Sequence, residues 1–161
     1  MMDLLLRVEQ SGICQWIRST DSIFGYYGIL TVHAVGMGIA VGINACVDLR
    51  VLGFAPAVPL APMAKFMPLL WLGFWLNAVS GTILLATDAT HKLVNPDFYV
   101  KMLFIALALG ILQALRARIF HGPREETTSL SMTARILALA SLASWLGAIV
   151  AGRLLAYQAA M

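Results

Sequence analysis

Inside the run VHAVGMGIAVGINACVDLR, Val32 to Arg50, a histidine, an asparagine and an aspartate stand among residues otherwise apolar enough for a lipid bilayer. His33 is the deepest ionisable group, about 11 residues or ~17 Å into its helical segment, near the membrane middle. A charge at that depth costs ~3 kcal/mol or more, whereas a neutral imidazole avoids most of the penalty and is also the form that ligates metal. Met37 follows four residues later, one turn along the same helical face. Imidazole and thioether suit haem iron, and the same pair suits copper(I).

At 100° per residue, Ser22, Tyr26, His33, Met37, Asn44 and Asp48 fall within roughly 80° of arc. A polar stripe of this kind faces protein rather than lipid. A second apolar segment repeats the pattern, with Asn77, Ser80, Gly81, Asp88 and His91 in a sector of roughly 100° and Trp71 and Trp75 turned away. The two stripes can meet. Lys101 near the start of a third segment and Arg153 near the end of a fourth fall at the same end as Asp88, His91, Tyr26, Tyr27 and Tyr157. The candidate cofactor-binding set is therefore His33, Lys101, Arg153, Asn77, Asp88 and Tyr26, with His33 and Met37 as metal ligands.

The elements that must position these groups follow from composition. The chain has 161 residues, of which 60% are hydrophobic and 12% charged, with a mean hydropathy of +0.84. Soluble domains carry about a quarter charged residues, so one compact membrane domain is expected. Spanning ~30 Å of hydrocarbon takes about 20 apolar residues in a helix, and four segments qualify, at 22–50, 64–90, 98–120 and 132–157. The fold class is all-α: an integral membrane four-helix bundle. Residues 3–18 mix Leu5, Val8, Ile13 and Trp16 with Arg7, Glu9, Gln15 and Arg18, which predicts an amphipathic helix lying on the membrane surface. The apolar part is short and no small-residue site closes it, so a cleaved signal peptide is not expected.

Three connectors separate the spans. Pro56, Pro59 and Pro62 make a stiff, non-helical first connector, Asn95-Pro96 starts a turn in the second, and Gly122-Pro123 marks the third, with Ser131 as a cap for the last helix. The dense Arg116 to Arg135 group predicts that its side is cytoplasmic, which puts both termini in the periplasm of a multi-pass inner-membrane protein. Gly38 and Gly42 form a small-xxx-small pair at which a neighbouring helix is expected to approach. Cys14 and Cys46 are badly placed for a disulfide and read as small hydrophobes. The net charge of +3 comes from scattered residues with no aromatic-interleaved basic stripe, so nucleic acid is not an expected partner.

The order of motifs resembles a family. His33 with VDLRVLG (Val47 to Gly53), Ser80-Gly81, NPDFYVK (Asn95 to Lys101) and SWLGAIVAGRLLAY (Ser144 to Tyr157) look like an uncharacterised bacterial family of four-span integral membrane proteins. That family is distantly similar to the copper-resistance D-type membrane proteins and to the haem-binding HemJ-type protoporphyrinogen oxidases. Both have a histidine in the first span, and the HemJ-type group has a lysine at the start of a later one. The resemblance carries His33 and Lys101 over as functional positions.

Four readings follow. In the first, a b-type haem sits in the bundle with His33 as axial ligand and with Lys101 and Arg153 on the propionates. In the second, His33 and Met37, joined by Met102, handle copper. The third holds a quinone-type ligand between the polar faces. The fourth is a scaffold or accessory subunit, with the lipid bilayer and a membrane or periplasmic protein as partners. No phosphate loop or nucleophile with a base is present, and the Glu125-Glu126 pair falls in a polar connector where solvated charge suffices.

Overall fold

The computed structural model describes residues 2–20, 22, 24–120 and 131–158. His121, Gly122-Pro123, Arg124 and the Glu125-Glu126 pair lie outside the described residues. The described elements are helices: α1 (Met2–Glu9), α2 (Gly12–Ser19), α3 (Tyr26–Leu52), a 3-10 turn (Ala61–Phe66) leading into α4 (Met67–Ala86), the single turn α5 (Ala89–Lys92), α6 (Pro96–Phe120) and α7 (Met132–Gln158). Four of them are long and apolar enough to cross a membrane: Tyr26–Leu52, Ala61–Ala86, Pro96–Ile119 and Met132–Tyr157. The molecule is an all-α, four-helix, multi-pass membrane protein.

Each span begins and ends for a local reason. Gly53 closes α3 in the left-handed region at φ 103°, with its N–H turned back to the carbonyls of Arg50 and Leu49, a cap that a side chain would strain. Arg50 then fastens the proline connector by donating to the carbonyls of Val58 and Pro56. Pro96 opens α6 at a position where its missing N–H costs nothing, and the Asn95 side chain accepts from the Asp97 N–H at 2.9 Å. Ser131 caps α7 by accepting from the Ala134 N–H at 3.3 Å.

Two expected boundaries move. The surface segment at 3–18 is two helices, broken at Gln10 and Ser11, because the Ser11 hydroxyl accepts from the Cys14 N–H and starts α2 afresh. The first span starts at Tyr26 rather than residue 22, since Ser22 and Phe24 form a turn closed by the bond from the Gly25 N–H to the Ser22 carbonyl. The second span stops at Ala86, and residues up to Lys92 turn across the end of the bundle.

The helices pack as two hairpins, α3 with α4 and α6 with α7, joined along α3 and α7. On the remaining side α4 and α6 have no comparable contact. Close approach within the first hairpin depends on Gly36 and Gly73: a Cβ at Gly36 would stand 2.8 Å from the Asn77 nitrogen and the Gly73 oxygen. Gly38 and Gly42, where a neighbour was expected, are exposed and meet nothing within 4 Å. The sequence pattern finds small residues but not the side on which the partner lies.

A tightly packed apolar core occupies the end of the bundle near the first and third connectors, where Val47, Val51, Leu70, Leu112, Leu115 and Ala138 are buried together. The half nearer the termini contains the cavities, and His33 of α3 meets Asn77 and Ser80 of α4 there.

Candidate functional site

His33 projects from α3 onto Gly81 of α4, where a Cβ would stand 2.9 Å from the imidazole Cε1. Only glycine leaves room for the ring to lie flat against the neighbouring helix. Its Nδ1 is 2.9 Å from the backbone carbonyl of Asn77 and 3.1 Å from the Ser80 hydroxyl oxygen. A carbonyl only accepts, and the Ser80 hydroxyl already donates to the Leu76 carbonyl at 2.6 Å. Nδ1 therefore carries the proton. The neutral ring then has its lone pair on Nε2, which has no hydrogen-bond partner among the described residues. An Nδ1–H held by a backbone carbonyl is the arrangement that orients a metal-ligating histidine.

Asn77 closes the pair from its own side by donating from Nδ2 to the His33 carbonyl at 2.8 Å. The α3 carbonyl it satisfies lies where the helix approaches α4 most closely.

Two cavities adjoin this ring. The first, about 240 Å³, is lined by residues of all four spans, among them His33, Met37, Asn77, Lys101, Met102 and Trp145. The second, about 180 Å³, lies nearer the termini and takes in Tyr26, Asp88, Lys92 and Gly152. His33, Gly81, Leu85, Phe98 and Lys101 line both, so the two are parts of one cleft. Together they reach the lower end of the ~300–1,000 Å³ typical of small-molecule sites. The cleft runs into the gap between α4 and α6.

Of the residues singled out in the sequence, His33, Met37, Asn77, Lys101, Asp88 and Tyr26 all line this cleft. Arg153 does not. The α7 residue beside the lysine is Gly152, whose Cβ position is 3.6 Å from Lys101 Cδ and Cε, and Arg153 is turned about 100° away and exposed. His91 is exposed on α5, and Tyr27 and Tyr157 are exposed as well.

Lys92, Phe98 and Trp145 are cleft residues that sequence reasoning missed. The signal for Lys92 was its spacing from Asp88, four residues earlier; it forms a 3.7 Å ion pair with Asp88 and donates to the Leu84 carbonyl at 2.7 Å. Burial pushes the Lys92 ammonium below its ordinary pKa, against the opposing pull of Asp88. Trp145 entered the sequence reading only as part of the SWLGAIVAGRLLAY motif; it is buried, and its indole N–H has no partner among the described residues.

The N-terminal helices close the same end. Glu9 accepts from the Thr90 hydroxyl at 2.7 Å and from the Thr90 N–H at 3.3 Å, and pairs with Arg18 at 3.3 Å. The Cys14 thiol lies 3.7 Å from the Ala86 carbonyl. Cys14 is buried and Cys46 exposed, and both are free.

No family model matches the chain, and neither a curated protein nor a solved structure does. Among the described residues no group of three or more histidine, cysteine or acidic side chains could hold a metal ion. A metal at this site would need His33 together with thioether sulfur or a ligand that brings its own donor set.

Proposed function

We propose that the protein is an inner-membrane protein that holds a lipophilic redox cofactor, a b-type haem, in the cleft between the two hairpins, with His33 Nε2 as iron ligand. The observation that carries this reading is the 2.9 Å contact of His33 Nδ1 with the Asn77 carbonyl, which calls for an Nδ1–H and leaves the Nε2 lone pair with no partner among the described residues, beside an apolar cleft. A tetrapyrrole supplies four of its own donors, so one histidine suffices where a bare ion would need three or four side chains. Lys101 and Lys92 line the part of the cleft nearer the termini and offer cations to propionates, while Phe74, Leu85, Phe98 and Ile105 supply the apolar wall. Bound there, haem would supply one-electron chemistry. The protein's own part is to orient the ligating nitrogen, neutralise the acidic groups and exclude water.

Arg116, Arg118 and Arg135 lie at the opposite end from the termini, which supports a cytoplasmic assignment for that end and a periplasmic one for the termini. The cleft then faces the periplasmic half of the bilayer.

Copper(I) is the second reading, because Met37 and Met102 line the same cavity as His33 and bring two soft sulfurs to one imidazole. The detergent-purified protein should show a Soret band whose companion bands sharpen on reduction with dithionite, with iron near one per chain. His33→Ala should remove that absorption while leaving a helical, monodisperse protein. A colourless preparation containing copper selects the second reading; one with neither metal, or a His33→Ala variant that keeps all its haem, overturns the haem site.

A further inference from the structure

A second polar cluster lies deeper in the bundle. Asn44 and Asp48 of α3 and Ser141 of α7 are all fully buried, with exposures of 0%, 1% and 1%. Asn44 sits between the other two, its Nδ2 donating to Asp48 Oδ2 and, at 2.8 Å, to Ser141 Oγ. Along α3 this cluster is about 17–22 Å from His33, with Met37 and Ala40 in between, so it is not part of the cleft.

The charge balance of the cluster is incomplete. No cation pairs with Asp48 among the described residues. Arg50, on the same helix, is committed to the Val58 and Pro56 carbonyls. Arg116 of α6, Arg135 of α7 and Lys65 of the 3-10 turn form no ion pair among the described residues, and the Arg116 Nε is buried without a partner. A carboxylate this deeply buried in hydrocarbon-facing protein needs a positive charge or a proton.

Asn44 shows where that charge would go. Its Oδ1 is buried and has no hydrogen-bond partner among the described residues, while its Nδ2 occupies the point between a carboxylate and a hydroxyl. Rotating the amide by a half turn gives up no bond at Oδ1 but does give up the two Nδ2 donations, to Asp48 and Ser141, which the incoming charge must replace. It brings that oxygen to the point that Nδ2 now fills, so a carboxylate, an amide carbonyl and a hydroxyl would stand side by side, with oxygens close enough for one positive charge to bridge them. Hard oxygen donors of this kind suit a small hard cation, and the same carbonyl accepts equally well from a protonated carboxyl.

We propose that Asn44, Asp48 and Ser141 form a binding site for one small monovalent cation, a proton or a sodium ion, within the α3–α7 seam. The site delivers a single positive charge to Asp48, and the Asn44 amide turns to admit it.

The test uses the full chain in detergent, with Asp48→Asn as a neutral isostere that keeps the packing and Ser141→Ala as a second variant. If the cation is a proton, the infrared spectrum contains a protonated-carboxyl band that disappears at alkaline pH, is insensitive to sodium and is absent from Asp48→Asn. If it is sodium, replacing choline chloride by sodium chloride at equal ionic strength raises the melting midpoint by roughly 2–4 °C. That shift is lost in Asp48→Asn and reduced in Ser141→Ala. A wild-type protein that matches Asp48→Asn in both its pH-dependent carboxyl spectrum and its response to sodium would overturn the site.

Discussion

His33 and Asn77 grip each other in both directions across the α3–α4 contact: the imidazole Nδ1–H donates to the Asn77 backbone carbonyl at 2.9 Å, and the Asn77 side chain donates to the His33 carbonyl at 2.8 Å. The two bonds have different dependences on sequence. The bond that sets the histidine tautomer ends on backbone, which no substitution at position 77 removes.

Asn77→Leu should therefore lower stability modestly, by ~0.6 kcal/mol and at most ~1.7 kcal/mol, the range for interhelical hydrogen bonds in membranes. On the haem reading, cofactor content should be nearly unchanged. Thermal melting in detergent and the absorption spectrum of the same preparation read the two effects separately. A variant that stays folded but loses all cofactor would show that the Asn77 side chain, and not its carbonyl, holds the ring.

The glycines separate in the same way. Gly36→Ala places a Cβ 2.8 Å from backbone atoms of α4, which cannot move aside without parting the helices, whereas Gly38→Ala meets nothing within 4 Å. The first change should cost ~1–3 kcal/mol. The second should be neutral or stabilising by up to ~1 kcal/mol through helix propensity. Melting midpoints of the two variants check the contrast.

These residues also show what was legible beforehand. Apolar segment length gave the four spans, and the angular position of His33, Asn77 and Asp88 placed them on inward faces, because burial in a helix follows a period that sequence displays. Lys101 was legible from depth alone. Arg153 was misplaced because depth does not fix rotation: one residue's turn separates it from Gly152, the position that meets Lys101. Gly38 and Gly42 misled because small residues on a helix do not indicate which side a partner occupies. The break at Ser11 was missed because one capping hydroxyl outweighs a continuous amphipathic pattern.

On the haem reading, Lys101→Met should weaken haemin binding by the loss of a charge-assisted bond, roughly ten- to a hundred-fold in Kd. The wavelength set by His33 ligation should not change. Arg153→Gln, an exposed position outside the cleft, should leave binding as it is. Titrating haemin into the cofactor-free protein tests both variants, and equal losses would put Arg153 back at the site.

Docking of α1 is expected to depend on acid pH. The Thr90 hydroxyl holds the Glu9 carboxyl below its usual value, against the opposing effect of burial and with help from the Thr90 N–H and Arg18. A carboxyl whose pKa is lowered on folding contributes stability that is complete above the ordinary carboxylate pKa of 4.5 and is lost as pH falls through the lowered value. Amide protection in residues 2–9, measured against the intrinsic exchange rate at each pH, should fall over that acid interval and not at neutral pH. Glu9→Gln should exchange faster at neutral pH and lose the acid step; a pH profile identical to wild type would mean that α1 is held by its apolar face alone.

The missing contact between α4 and α6 gives the bundle the mechanics of a bound volume, with α3 and α7 as the spine and the two hairpins as covers. Swinging the covers apart breaks neither hairpin's own packing. The free edge is fastened at both ends: near the termini by the short link through α5, where Lys92 is tied to the Leu84 carbonyl and Asp88, and at the other end by the apolar core, where Leu70 of α4 is buried together with Leu112 and Leu115 of α6. The gap therefore lies between these two fastenings, at the level of the cleft, and faces sideways into the lipid. On the proposed reading, a ligand would reach His33 by partitioning into the bilayer first, so its loading rate would follow its concentration in the membrane rather than in water.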